Sequence, residues 1–173
     1  MRLKDKVAIV TGASQGIGEG IARTFGRNGA KIVLADVNEE LGTKVAEQLA
    51  QEDIEAIFVK TDVSQEDQVI AMIQAGADKF GGIDLLVNNA AVNVRKSAKD
   101  TSLEEWQKVI GVNLTGAFLC SKYAIPEMEK RGGGAIVNIA SWHAEKTITR
   151  LAAYAASKGG ITALTRQMSL DCG

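Results

Sequence analysis

The sequence predicts a doubly wound α/β fold, a parallel sheet with helices packed on both faces. Three observations predict it. Short β-rich apolar runs alternate with segments of helical period along the chain. The first run, residues 7–10, is apolar at every position, as a strand covered on both faces requires. A glycine-rich turn, TGASQGIG at 11–18, joins that run to the first helical segment. The expected strand order is 3-2-1-4-5, in a single domain spanning residues 1–173.

The elements follow in order. After the turn, Ile17, Ile21 and Phe25 recur at helical spacing, and Asn28-Gly29 is a helix stop. Residues 31–35 form the second strand, ending at Asp36, and Asn38 caps a helix that runs to about residue 52. Residues 55–60 form the third strand, and Ser64 with Asp67 opens the third helix. Residues 83–87 form the fourth strand and run into Asn88-Asn89-Ala90-Ala91. Ser102 with Glu105 is a capping box for a long helical region carrying Trp106, Val109, Ile110, Asn113 and Phe118. Pro126, the only proline, is expected to kink or end it. Three glycines, 132–134, lead to a fifth strand over 135–140, and a loop through Thr149 leads to a last helix over 152–170.

Composition narrows the function classes. The chain has 46% hydrophobic and 24% charged residues and a formal net charge of −1 with both signs interspersed, so no basic surface for nucleic acid is expected. Two cysteines, Cys120 and Cys172, and one histidine give no zinc-ligand spacing, and reduced thiols in a cytoplasmic protein are expected. No apolar run approaches the ~18 residues of a membrane span, and the longest apolar run before Thr11 is the four consecutive residues 7–10, too few for a signal-peptide core.

Certain residues carry chemistry. Glycines at 12, 16 and 18 permit a tight turn and bring backbone N–H groups near an anion at a helix start, where a pyrophosphate binds. The order is GxxxGxG rather than GxGxxG, and alone it also fits a turn with no ligand. Asp36 lies 18 positions beyond Gly18. A carboxylate there accepts hydrogen bonds from ribose hydroxyls and repels a 2′-phosphate, so NAD is expected over NADP; Gln15 and Val37 bring no cation.

Tyr154 and Lys158 lie four apart on one helical face. A cation about 4 Å from a phenol, at an effective dielectric near 20, supplies roughly 4 kcal/mol, or up to about three pKa units. A surface tyrosine beside a snorkelling lysine gives the same spacing. Ser141, at the C-terminal end of the fifth strand, faces the ligand crevice or serves the turn there. Asn113 fits either a buried structural amide or a catalytic one. His143 reads as a loop residue; with Trp142, Asn93 and Val94 it is placed to line a substrate side.

Taken together, TGASQGIG at 11–18, Asp62-Val63, NNAA at 88–91, Asn113, Ser141 and the YAASK run from Tyr154 to Lys158 resemble the short-chain dehydrogenase/reductase family in order and spacing. Ala91 stands where the family's motif has glycine. The resemblance implies a Rossmann fold and reversible hydride transfer between nicotinamide and a secondary alcohol or ketone. It implies a tetrad in which Tyr154 moves the proton, Ser141 orients the substrate oxygen, Lys158 acts on Tyr154 and the nicotinamide ribose, and Asn113 holds a water. It assigns cofactor contacts to Gly12, Ser14, Gln15, Gly16, Ile17, Gly18 and Asp36. Asp62 and Val63 would meet adenine, and Asn89 and Ala90 the adjoining ribose region. It also implies a homodimer or homotetramer built on the helices at 102–130 and 152–170.

Family members continue beyond the last helix with two more strands. The sequence is therefore expected to be part of a longer enzyme, with a truncated NAD-binding module without turnover as the alternative and a purely structural subunit as a third. Within enzymes, an NADP-dependent 3-oxoacyl reductase and a sugar dehydrogenase are the competing readings.

Overall fold

The computed structural model describes residues 1–172. Five parallel strands form one sheet in the order β3-β2-β1-β4-β5, the order expected of the doubly wound Rossmann arrangement. They are β1 (Val7–Thr11), β2 (Lys31–Asp36), β3 (Ala56–Lys60), β4 (Leu85–Asn88) and β5 (Ala135–Asn138). The helices are α1 (Gly16–Arg27), α2 (Glu39–Ala50), α3 (Glu66–Phe80), α4 (Leu103–Ile110), α5 (Gly116–Lys130) and α6 (Ala152–Asp171).

The alternation of side chains along each strand divides the core. Ala8 and Val10 of β1, with Ile32 and Leu34 of β2, face Ala22 of α1 and Val45 and Leu49 of α2. Val7, Ile9, Val33 and Leu86 point the other way, onto Met72 of α3 and Cys120 and Ala124 of α5. β1 is buried at all five positions, which is why its sequence is apolar throughout. β5 instead alternates: Ile136 and Asn138 are half-buried, Ala135 and Val137 exposed.

Several local expectations are corrected. Pro126 does not end its helix, because α5 runs through it to Lys130. The proline is exposed, and all it takes from the helix ladder is the one N–H that would have met the Lys122 carbonyl. The helical region is not one continuous α-helix either, since a π-helical turn, Gly111–Thr115, separates α4 from α5. Ser64 does not cap α3. Its hydroxyl donates back to Asp62 Oδ1 at 2.7 Å, and the cap position falls to Gln65 without a side-chain bond. The other caps stand as expected: Asn38 accepts from the Leu41 N–H, and Ser102 and Glu105 make a complete capping box.

Candidate active site

Parallel strands present their C-terminal ends to one rim, and the turns leaving β1, β2, β4 and β5 meet there. The turn after β1 is closed by β4's end. Asn89 Nδ2 donates to the carbonyls of Thr11 (2.9 Å) and Gly12 (3.1 Å), and the N–H groups of Asn89 and Ala90 both donate to Thr11 Oγ1 at 3.0 Å. Glycine is required within this clamp. A Cβ on Gly18 would stand 2.1 Å from the Gly12 carbonyl oxygen, and one on Gly12, whose φ is +63°, would stand 2.9 Å from Ala90 Cα. Gly16, at φ +60°, has nothing within 4 Å of where its Cβ would be. Gln15, at the cap of α1, makes no side-chain bond to the helix's first N–H groups. The turn thus offers uncovered backbone at a helix N-terminus, which fits a pyrophosphate.

A cleft of about 580 Å³ opens over this turn. Gly12, Gln15, Ile17, Asp36, Asp62 and Val63 line it, and Asn89 and Ala90 form its far side. Ser14 is buried beneath the turn, its N–H donating to Asp36 Oδ2 at 3.1 Å, while Asp36 Oδ1 accepts from the Asn38 N–H at 3.0 Å. The carboxylate is therefore held at the rim by two backbone donors and retains lone pairs for a further donor. Ile17 and Val37 are exposed apolar side chains there. Asp62 turns toward α3, with Oδ1 accepting from the N–H and hydroxyl of Ser64.

The sequence did not single out Thr61, Val92, Lys108 or Val112, which also line the cleft. Lys108 and Val112 are four apart across the start of the π turn, a spacing that marks one face. The role of Thr11 was missed as well; its hydroxyl joins the ends of two strands that are distant in sequence.

A second group of residues lies on α6, the π turn and the loop after β5. Asn113 is buried. Its Oδ1 accepts from the Val92 N–H at 2.8 Å, and its Nδ2 donates to the Val92 carbonyl (3.0 Å) and to Ser157 Oγ (3.1 Å). The Ser157 hydroxyl donates in turn to the Tyr154 carbonyl at 2.7 Å. Lys158 is buried one residue further on and donates from Nζ to the Ile139 carbonyl at 2.7 Å. Its Nζ stands 5.6 Å from the Tyr154 ring centroid. Burial pushes the Lys158 ammonium below its ordinary pKa. No carboxylate pairs with Lys158 among the described residues. Ser141 begins a short 3₁₀ turn, Trp142–Ala144, and its Oγ accepts from the His143 N–H at 3.3 Å. The His143 ring meets the Tyr154 ring edge-on, with centroids 5.8 Å apart. Lys158 thus stands directly against the Tyr154 ring, Asn113 reaches the Tyr154 backbone through Ser157, and Ser141 reaches the Tyr154 ring through His143.

The fold and this rim define a nucleotide-binding α/β protein. The family model for short chain dehydrogenase matches residues 6–173, and the chain belongs to that family of oxidoreductases. An uncharacterized oxidoreductase of Thermotoga maritima is 48% identical over 169 residues, covering 98% of this chain and 66% of the relative. Meso-2,3-butanediol dehydrogenase of Serratia marcescens is 42% identical, covering 100% and 68%. The NADP-dependent (R)-specific alcohol dehydrogenase of Lentilactobacillus kefiri is 38% identical, covering 99% and 68%. The chain therefore spans about two thirds of the length of these relatives.

No helix among the described residues is long and apolar enough to cross a membrane.

Proposed function

We propose that this chain supplies the cofactor site and catalytic group of an NAD-dependent dehydrogenase that interconverts a small secondary alcohol and its ketone in the cytoplasm. The observation that carries the reading is the chain of contacts Val92–Asn113–Ser157–Tyr154, with the buried Lys158 ammonium beside the tyrosine ring. The cofactor's phosphates fit the uncovered backbone at Gly16 and the start of α1, with Gly12, Ser14, Gln15, Ile17 and Gly18 shaping the turn. Asp36 would take the adenosine ribose hydroxyls, Asp62 and Val63 the adenine end, and Asn89 and Ala90 the adjoining wall. When bound, the nicotinamide supplies the donor or acceptor of hydride.

In the oxidising direction, Ser141 Oγ holds the substrate oxygen and Tyr154 accepts its hydroxyl proton. Tyr154 must enter this step as its phenolate, and the Lys158 ammonium beside the ring balances that negative charge before the proton arrives. Asn113 keeps the first turn of α6 in place through Ser157. The carbon gives up a hydride and the oxygen a proton, so the alcohol loses two electrons and becomes the ketone.

The test is Tyr154→Phe. Turnover is expected to fall at least about a thousandfold while NAD affinity changes less than about threefold, as for loss of a proton-transfer group. Retained turnover refutes the assignment. Asp36 supports NAD over NADP because a 2′-phosphate beside it meets like charge. Lys108 lines the same cleft and favours the second reading, NADP, as used by the Lentilactobacillus relative. Asp36→Ala should raise NADP use relative to NAD, and an unchanged ratio removes Asp36 from the ribose. The exposed Leu103, Trp106 and Phe118 along α4 and α5 support assembly as a homodimer or homotetramer.

A further inference from the structure

His143 is the only histidine in the chain. Its backbone N–H holds Ser141 Oγ, and its ring stands at 80° to the Tyr154 ring, so one residue touches both groups assigned to the substrate oxygen. The other neighbour of the imidazole is Trp142, with centroids 4.0 Å apart. Nδ1 is closed off from solvent and has no hydrogen-bond partner. Nε2 is not closed off in this way and has no protein partner among the described residues. A buried N–H without an acceptor loses a whole hydrogen bond, so the proton belongs on the nitrogen that water or a ligand can reach. The ring therefore keeps Nδ1 as a bare lone pair and carries its donor at Nε2.

We propose that His143 is a substrate-positioning residue whose Nε2–H binds an oxygen on the carbon next to the reacting one. This selects α-hydroxy ketones and vicinal diols over plain ketones and alcohols. The proposal rests on the assignment of Tyr154 and Ser141 above. A substrate oxygen held by those two groups lies beside the residue that touches both, Ser141 through its backbone N–H and Tyr154 through its imidazole, so the adjoining carbon falls within that ring's reach. A site with a polar donor there discriminates against an analogue that leaves the donor unpaired. Trp142, 59% exposed, gives the rest of the substrate an apolar flank.

Hydroxyacetone and acetone differ by that one hydroxyl and are the probes. His143→Phe keeps an aromatic ring against Trp142 and Tyr154 and removes the donor. The ratio of kcat/KM for hydroxyacetone to that for acetone is expected to fall about tenfold, the worth of one neutral hydrogen bond, and to do so through KM. An unchanged ratio, or equal losses on both ketones, overturns the proposal. A second readout needs no turnover. The single imidazole gives one pair of ¹⁵N signals, expected to report the Nε2–H form and to shift when hydroxyacetone, but not acetone, is added with cofactor. An Nδ1–H form, or equal shifts with both ketones, overturns it. If neither ketone is reduced but hydroxyacetone alone moves the signal, the positioning role stands and the catalytic assignment fails. If both are reduced and His143→Phe changes nothing, the reverse holds.

Discussion

Asp84 immediately precedes β4, at the opposite end of the sheet from the cleft, and is buried. Its Oδ2 accepts from the Val7 N–H (2.9 Å) and Arg131 (3.0 Å), and its Oδ1 from Lys6 (3.1 Å). Burial pushes the carboxyl up, but these donors prevail and hold it below its ordinary value of 3.8. A carboxyl more acidic in the folded state contributes stability that is complete above its unfolded pKa. The contribution drains away as pH falls through 3.8 toward the lower folded value. Asp84→Asn should cost about 1–3 kcal/mol near neutrality and flatten the acid limb of Tm against pH; an unaltered acid limb would show that the clamp is not the titrating element. At Cys120, burial pushes the thiol up to about 12. A disulfide reagent should therefore modify one thiol in the native chain, the exposed Cys172, and two after denaturation. Prompt reaction of both would mean that α5 opens readily. Gly18→Ala places a methyl against the Gly12 carbonyl and should cost roughly 1–3 kcal/mol from overpacking, with loss of nucleotide binding as the accompanying readout.

The elements differ in how far the sequence disclosed them. Asn38 and the Ser102–Glu105 pair announce their helices because a cap is a local bargain between a side chain and backbone three residues away. Ser102→Ala should lower stability by about 1 kcal/mol, measured by urea unfolding, and an effect near zero would make the box ornamental. Ser64 satisfies the same spacing rule yet bonds backward to Asp62, a competition that spacing alone does not resolve. The π turn was not legible at all. Its central residue, Asn113, is bonded to both polar atoms of the Val92 backbone, a partner twenty-one residues away that local pattern does not reveal. The tetrad residues could be named from their motif, but the links through Ser157 and His143 are tertiary and left no mark on local pattern.

Across the whole molecule, the alternation of strand and helix announced a parallel sheet covered on both faces, but the order 3-2-1-4-5 needed the family resemblance, because 2-1-3-4-5 satisfies the same alternation and handedness. The sheet is unevenly covered. Among the described residues β5 has a strand neighbour only on its β4 side, and Val137 is 48% exposed on its outer face. An apolar side chain beside unpaired strand backbone favours association. Val137→Lys should reduce the self-association of this chain in light scattering, and unchanged particle mass would acquit the edge. The Asp84 clamp has a consequence of another kind. It shares no partner with Tyr154, Lys158 or the glycine turn, and the length of the strands lies between them. Energetic effects of sites this far apart add. In a double-mutant cycle Asp84→Asn and Tyr154→Phe should therefore show negligible coupling, one moving only the unfolding midpoint and the other only turnover. The two ends of the sheet then offer independent handles, and durability can be redesigned at one without retuning the chemistry at the other.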